Sequence, residues 1–268
     1  MLSMHRMSEP KDRISVAGDV SMREQLARLR EQQERLFVQL HAGEQHFKQL
    51  ARSVWRVQED ERRRLARELH DGIGQQLTAL KHRLDALARD AGGCGDASTP
   101  LCQALAICES AIEETRALSR VLRPQILDDL GLAAALNWLA RHSAESGGFD
   151  AEVDVGELPP IDSDVSTLIF RVAQEALTNV LKHAQAKHVV IRLAQRQDQA
   201  LQLLIVDDGT GCDVDAAFER ASGGHSTGLA SMRERVRLFG GRFTVVSRPG
   251  EGMQIRVMIP QLPGDATP

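Results

Sequence analysis

One run of residues combines an imidazole, a carboxylate and an amide at helical spacing. His70 and Asp71 are adjacent, and Gln75 follows Asp71 by one helical turn. A stripe of apolar residues at steps of three and four predicts the surrounding helix, and this stripe contains Leu65, Leu69, Ile73, Leu77, Leu80, Leu84 and Leu87. His70 lies about a quarter turn off the stripe, so its ring should face solvent at the edge of a helical bundle. An imidazole there can accept a group while the Asp71 carboxylate orients the ring and takes its proton.

Two glycines interrupt this otherwise strongly periodic helix. Gly72 and Gly74 stand where helix formers are expected, and each costs roughly 1 kcal/mol relative to alanine. Gly74 follows His70 by one turn, so its missing side chain leaves open space beside the imidazole. The pair predicts that something large approaches the backbone at His70.

A second group of polar residues shares one face of a helix predicted over residues 164–184. Glu175 and Asn179 are four residues apart, and either Lys182 or His183 falls on the same face one turn further on. A carboxylate and an amide oxygen suit a hydrated Mg²⁺ held against phosphates, and the cation beside them suits the phosphates themselves. Taken alone, the same face also fits an ordinary solvated helix surface.

Two glycine-containing segments complete this group. Asp207 follows an apolar strand and precedes Gly209 and Gly211, so its carboxylate can accept a hydrogen bond from an exocyclic amine while the backbone approaches a ligand. Gly228 and Leu229 begin a predicted helix after a glycine-rich stretch, and amides at a helix N-terminus favour anionic phosphate. Each segment by itself also fits a plain turn.

Composition excludes several classes of protein. The 268 residues carry a formal net charge of −4, and basic residues are interspersed with acidic ones, which argues against direct nucleic-acid binding. Aromatic residues are scarce, so surfaces on which bases could stack are not expected. No apolar run approaches the ~18 residues of a membrane span, and no secretory signal pattern is present, so we expect a cytoplasmic protein.

The hydrophobic pattern changes along the chain and predicts successive domains. A heptad that starts at Leu26 predicts a two-stranded coiled coil, and its steps slip after Val57. Two amphipathic helices then form a hairpin that can bury both apolar faces only as a dimeric four-helix bundle. Alternating helices and strands follow, which predicts an α/β sandwich. The predicted divisions are a disordered N-terminus 1–22, a coiled-coil helix 23–57, a dimerising helical hairpin 58–124, an α/β domain 125–262 and a tail 263–268.

The order and spacing of these segments resemble a known family. Glu175 to His183, Asp207 to Gly211 and Gly223 to Leu229 resemble the N, G1 and G2 boxes of the nucleotide-binding fold of gyrase, Hsp90, histidine kinases and MutL. With His70 and its neighbours upstream, the chain resembles a two-component sensor histidine kinase. The resemblance implies that residues 58–124 form the dimerisation and histidine phosphotransfer domain and that residues 125–262 form the catalytic ATP-binding domain. The segments 122–132 and 228–235 are typical of the NarX and DesK subfamily, whose partners carry LuxR-type helix-turn-helix output domains.

The resemblance implies a role for each candidate residue of the ATP-binding domain, with ATP and Mg²⁺ as its ligands. Asn179 would ligate Mg²⁺, Glu175 would hold a water on that ion, and Asp207 would bind the adenine amine. The glycines of the boxes would shape the pocket, and they are Gly209, Gly211 and Gly228.

The resemblance also implies the chemistry at the helix. His70 would be the phosphoacceptor, with Asp71 as its proton acceptor, and a homodimer would pass the phosphoryl group to an aspartate of the response regulator. Asp71 and Gln75 match the Asp-x-x-x-Gln phosphatase pattern, in which Gln75 positions a water on the phosphorylated partner. In the ring attack on the γ-phosphate, positioning and charge neutralisation supply most of the catalysis.

Other enzyme classes fit the sequence less well. The segment 224–228 matches the Gly-x-Ser-x-Gly nucleophile elbow, but that arrangement needs a histidine after the serine and none follows His225. No P-loop pattern occurs. Chaperone, repair and anti-sigma ATPases of the same fold would leave the His70 helix unexplained. The remaining alternative is a catalytically weak dimeric scaffold that binds nucleotide, which Ser226 favours because many relatives have glycine there.

Overall fold

Long helices form the first part of the chain in the computed structural model, which describes residues 11–90, 100–122, 125–222 and 228–260. The chain divides into two units, 1–53 and 54–268. The first helices are α1 (Lys11–Arg67), a π-helix (Glu68–Gly74), α2 (Gln75–Asp90) and α3 (Pro100–Leu122). No helix among these described residues combines the length and apolar character needed to cross a bilayer.

The N-terminal helix begins earlier than the sequence pattern predicts. Residues 11–22, which we expected to be disordered, belong to α1, whereas residues 1–10 lie outside the described residues. Pro10 is the last proline before Pro100, so no ring blocks helix propagation through this stretch. A single glycine, Gly18, is too weak a breaker to end the helix.

The predicted helical hairpin is confirmed within one chain. Lys81 Nζ on α2 lies 2.8 Å from Glu109 Oε1 on α3. The Cys108 thiol donates to the Leu77 carbonyl at 3.4 Å. Further along α3, the Ser119 hydroxyl donates to the carbonyl of Ala66 before the His70 segment. Later residues of α3 thus meet earlier residues of the preceding helix, so the two helices are antiparallel, with the His70 segment at the start of the hairpin.

The second part of the chain carries a mixed five-stranded sheet. Its elements are α4 (Gln125–Asp129), α5 (Gly131–Gly147), β1 (Asp150–Val155), α6 (Ser163–Asn179), a π-helix (Val180–Ala184), β2 (His188–Gln195), β3 (Leu201–Asp207), α7 (Val214–Ser222), α8 (Gly228–Leu238), β4 (Arg242–Ser247) and β5 (Met253–Ile259). The strand order is β1-β2-β3-β5-β4, with β1 and β2 parallel and the other neighbours antiparallel. The predicted fold class, a helical hairpin followed by an α/β sandwich, is confirmed.

One face of the sheet packs against the helices, and α6 lies at the centre of this core. The residues of α6 from 167 to 173 are all buried. The helix begins where Asp162 caps it, since one carboxylate oxygen accepts from the amides of Asp164 at 2.8 Å and Val165 at 3.3 Å. Buried α6 residues therefore anchor the polar residues of its last turns.

One local prediction is wrong and another is confirmed with a change of geometry. The Gly, Asp and Ser content of residues 209–227 predicts a loop, but the stretch contains α7, in which Ala217 is buried and Asp213 caps the start by accepting from the Ala216 amide at 3.1 Å. The helix predicted over 164–184 is present as α6 and the π-helix that follows it, with the change to π geometry after Asn179. The Asp, Gly and Ser residues of 209–227 outweighed the few apolar residues that mark α7 as a helix. No periodic pattern in the sequence marks the change from α to π geometry.

Candidate active site

A cavity of about 560 Å³ collects most of the residues predicted to bind nucleotide. It is lined by eight of the nine residues predicted for this role, which are Glu175, Asn179, Lys182, His183, Asp207, Gly211, Gly228 and Leu229. The ninth, Gly209, is buried beneath the cavity lining. The three predicted segments, 175–183, 207–211 and 228–229, therefore meet at one cavity.

The last turns of α6 bring a carboxylate and an amide to the start of α8. A side chain built on Gly228 would overlap Glu175 Oε1 and lie 3.3 Å from Asn179 Nδ2. Both side chains are partly exposed, although the preceding turn of α6 is buried. The glycine lets the N-terminus of α8 approach this polar pair closely.

The π-helix after α6 places Lys182 and His183 together on the cavity. Both residues line it, although a regular α-helix would turn consecutive side chains about 100° apart. Thr210, in the loop after β3, donates two hydrogen bonds to this π-helix. Its amide donates to the Ala184 carbonyl at 2.7 Å, and its side-chain hydroxyl donates to the His183 carbonyl at 3.2 Å. Such π segments are often found at functional sites.

Asp207 is a buried carboxylate at the end of β3. It continues the inward-facing positions of that strand, which are 201, 203 and 205. Oδ1 accepts from the Gly209 amide at 3.0 Å. Burial raises the pKa of Asp207, and hydrogen bonds from the Gly209 and Met253 amides oppose that rise. The result is a desolvated acceptor suited to a neutral N–H donor.

Its neighbour Asp208 has the opposite surroundings and a structural role. It is exposed, and Oδ1 accepts from the amides of Lys187 at 2.7 Å and His188 at 2.9 Å. The hydrogen bond from the His188 amide lowers the pKa of this carboxyl. Asp208 therefore fixes the connection into β2 and stays ionised.

Two glycines make the close backbone approaches behind the cavity. A side chain on Gly209 would overlap the Ala184 carbonyl. Gly211 has φ +61°, and its side chain would overlap the Arg248 carbonyl and lie 2.8 Å from the Gly252 carbonyl. Both clashes involve backbone atoms, so a larger residue cannot be accommodated by moving a side chain.

Sequence reasoning missed the apolar part of the cavity lining. The additional lining residues are Ala176, Thr178, Val180, Ala184, Ile205, Cys212, Ala217, Met253 and Ile255. Strand alternation was a usable signal for Ile205, which shares the inward face with Asp207. Met253 and Ile255 lie opposite these two residues in the ladder, and that register depends on tertiary pairing.

His70 lies in the π-helix, and its side chain is exposed as predicted. Asp71 and Gln75 are exposed as well. A side chain on Gly72 would meet nothing within 4 Å, whereas one on Gly74 would lie 3.3 Å from the Leu69 carbonyl. Gly72 thus leaves open space, but Gly74 relieves crowding within the helix itself.

The turn before His70 is tied to α3. Ser119 Oγ donates to the Ala66 carbonyl at 3.1 Å, and both residues are buried.

The remaining part of the glycine-rich segment, residues 223–227 with Ser226, lies outside the described residues.

Comparison with known proteins agrees with this geometry. The family described as "Histidine kinase" matches residues 61–127. The family described as "Histidine kinase-, DNA gyrase B-, and HSP90-like ATPase" matches residues 164–263.

Two named relatives are similar to most of this chain. The sensor histidine kinase MctS of Rhizobium johnstonii is 35% identical over 227 residues, covering 84% of this chain and 48% of the relative. The histidine-protein kinase/phosphatase UhpB of Salmonella typhimurium is 38% identical over 218 residues, covering 79% of this chain and 41% of the relative. The chain thus spans less than half the length of these two relatives.

A solved structure is also similar. The histidine kinase domain of the blue-light activated kinase from Erythrobacter litoralis has 21% identity and a TM-score of 0.45, and the match covers 75% of this chain and 94% of that one.

From the two matching families and the named relatives, the chain belongs to the two-component sensor histidine kinases, in the NarX and DesK-like subfamily.

Proposed function

We propose that this chain transfers the γ-phosphoryl group of ATP to His70 and then to an aspartate of a response regulator with a LuxR-type output domain. The observation that carries the proposal is the cavity that gathers Glu175, Asn179 and Asp207 in one chain with an exposed histidine on a family-typical helix. ATP and response regulators share the cytoplasm, so the reaction is assigned there.

The cavity suits an adenine nucleotide with Mg²⁺. The desolvated Asp207 carboxylate would accept from the adenine amine, while apolar Ile205, Met253 and Ile255 would contact the ring. Glu175 and Asn179 offer hard oxygen atoms next to the N-terminus of α8. The described residues include no cluster of three or more side chains suited to holding a metal alone. Two oxygen donors still fit Mg²⁺, which keeps waters and phosphate oxygens as ligands and when bound neutralises phosphate charge.

The His70 ring would act as the nucleophile. A ring nitrogen forms a bond to the γ-phosphorus while the bond to the bridging oxygen breaks, and ADP leaves. Asp71 takes the proton from the other ring nitrogen, so the phosphorylated imidazole carries no positive charge. A regulator aspartate then attacks the phosphorus, the P–N bond breaks and the ring recovers its proton.

Labelling with γ-labelled ATP tests the proposal. We expect acid-labile label on the wild-type chain and its complete loss in His70→Gln, because the amide cannot act as the nucleophile. His82→Gln is the matched control, since His82 is an exposed histidine on α2 and should keep full labelling. A His70→Gln variant that still acquires acid-labile label contradicts the assignment. A wild type that binds ATP but never labels would instead be the scaffold.

We also propose that the chain removes the phosphoryl group from its partner. Asp71 and Gln75 are both exposed beside His70, so they can reach a docked regulator. The relative UhpB is named as a kinase/phosphatase.

Gln75→Ala should separate the two activities. We expect dephosphorylation of the regulator to slow by roughly 100-fold, the low end of what one positioned side chain contributes to such a step. Autophosphorylation should remain, because Gln75 is not the nucleophile. Gln76→Ala provides a neighbouring exposed control. Unchanged decay of the phosphorylated regulator in Gln75→Ala would rule out this role.

The active unit is proposed to be a homodimer. Within one chain, Ile73, Leu80 and Leu87 repeat every seven residues along the hairpin and stay 47 to 57% exposed. A second copy would cover this stripe in a four-helix bundle. The coiled-coil seam is similarly exposed, for example at Leu36 and Leu50.

Light scattering tests the dimer. The wild type should give twice the 29.5 kDa chain mass. Leu80→Glu should shift the mass toward the monomer, because a carboxylate at the centre of the stripe would be buried without a partner. Leu130→Glu is the control, since Leu130 is an exposed leucine outside the stripe. A monomeric wild type would contradict the dimer.

A further inference from the structure

A buried ion pair joins the helix before His70 to the helix that carries the nucleotide ligands. Glu59 on α1 and Arg171 on α6 are 5% and 4% exposed at their side chains. Glu59 Oε2 accepts from Arg171 Nε at 2.9 Å and from Nη2 at 2.7 Å. Arg171 Nη2 also donates to the Leu122 carbonyl at the end of α3. One guanidinium thus binds both α1 and the end of α3.

An aromatic contact supports the same junction. Trp55 lies one turn before Glu59, is 6% exposed and packs edge-on against Phe239 after α8, with ring centroids 5.1 Å apart. We call Glu59, Arg171, Trp55 and Phe239 the latch. All four belong to the unit formed by residues 54–268.

Exposed ion pairs flank the latch. Arg56 bonds the Asp164 carboxylate at the start of α6. Arg63 binds Asp128 on α4 through two hydrogen bonds of 3.0 and 2.5 Å. Every one of these contacts to α1 falls on residues 55–63, upstream of His70.

In the latched arrangement His70 is not among the described residues that line the cavity. Glu59 precedes His70 by 11 residues, or roughly 16 Å at a helical rise of about 1.5 Å per residue. Among the described residues, those lining the cavity all lie between 175 and 255, so the helices of the hairpin do not border it. Arg171, Glu175 and Asn179 follow one another at four-residue steps on α6, so a movement of the latch moves the ligands with it.

We propose that Glu59 and Arg171 are positioning residues that hold the ATP-binding domain in a resting position upstream of His70, and that the latch opens before phosphoryl transfer. Removing one partner of a buried ion pair leaves the other charge desolvated, so loss of the Glu59 carboxylate opens the latch. The inference rests on the proposed autophosphorylation of His70.

Glu59→Gln tests the latch in the 268-residue chain, with Asp60→Asn as the control on an exposed neighbour. We expect the initial rate of autophosphorylation at saturating ATP to rise about 5-fold or more, a typical size for such coupling. The KM for ATP should not change, because Glu59 does not line the cavity. Trp55→Ala opens the aromatic half of the latch and should raise the rate in the same direction.

Trp55 fluorescence reports on the latch without catalysis. In a Trp138→Phe background Trp55 is the sole tryptophan. Glu59→Gln should shift its emission to the red and increase quenching by acrylamide, whereas Asp60→Asn should do neither. A Trp55 that stays buried in Glu59→Gln, or an exposed Trp55 with an unchanged or lower labelling rate, overturns the proposal. A wild type that never labels would defeat the kinase assignment instead, and the fluorescence would still test the latch.

Discussion

Asp207→Asn should weaken ATP binding about 100-fold while making the folded chain more stable at neutral pH. The amide can keep its oxygen toward the Gly209 amide, but its NH₂ group then faces the adenine amine, and two donors cannot pair. Loss of a charge-assisted hydrogen bond in a buried site predicts an affinity about 100-fold weaker. Calorimetric titration with ATP or ADP measures this loss.

The stability change has a defined sign. The pKa of Asp207 is raised in the folded chain, so its stabilising contribution is present below the unfolded pKa and is lost as pH rises through the folded pKa. The amide that replaces this carboxyl in Asp207→Asn does not titrate, so the thermal midpoint of the variant should exceed that of wild type increasingly as pH rises toward neutrality.

Asp208→Asn is the matched control with the opposite sign. The His188 amide lowers the pKa of Asp208, so ionised Asp208 stabilises the fold above its unfolded pKa. The control should therefore bind ATP normally and lose some stability at neutral pH. Normal ATP binding by Asp207→Asn, or a lower midpoint for it at neutral pH, would refute the assignment of this carboxylate.

Gly211→Ala should have the largest effect on folding. Gly211 has φ +61°, and the added methyl would overlap the Arg248 backbone, which cannot move aside without breaking the loop. Backbone strain together with overpacking predicts a loss of roughly 3 to 5 kcal/mol in the free energy of unfolding. Urea unfolding followed by circular dichroism measures it.

Gly148→Ala is the control that separates backbone strain from steric overlap with neighbouring atoms. Gly148 has φ +67°, but its added methyl would meet nothing within 4 Å. Only the left-handed conformation is then penalised, at roughly 1 to 2 kcal/mol. Equal losses for the two variants would show that the close approach at Gly211 does not matter.

Local patterns predicted much of the fold and of the cavity. The three-and-four spacing of leucines predicted the hairpin, and the alternation along β3 is consistent with the inward direction of Asp207. Glu175 and Asn179 could be paired from sequence because four residues span about one helical turn. The roles of these residues remain predictions, as do the proposed domain boundaries.

Features that depend on distant contacts could not be predicted. The two π-helices have no periodic signature, and one of them carries His70 while the other carries Lys182 and His183. Glu59 and Arg171 are 112 residues apart, and each alone looks like a surface charge. Burial of that pair follows only from the docking of α6 on α1.

The most direct test of the account locates the phosphoryl group itself. The 268-residue chain is incubated with ATP and Mg²⁺. The phosphorylated residue is then identified by peptide mass spectrometry at neutral to alkaline pH, where phosphohistidine survives. We predict phosphohistidine at His70, with none in Asp207→Asn at limiting ATP. Phosphate on another residue, or modification of His70 that persists when the cavity cannot bind ATP, would contradict the account.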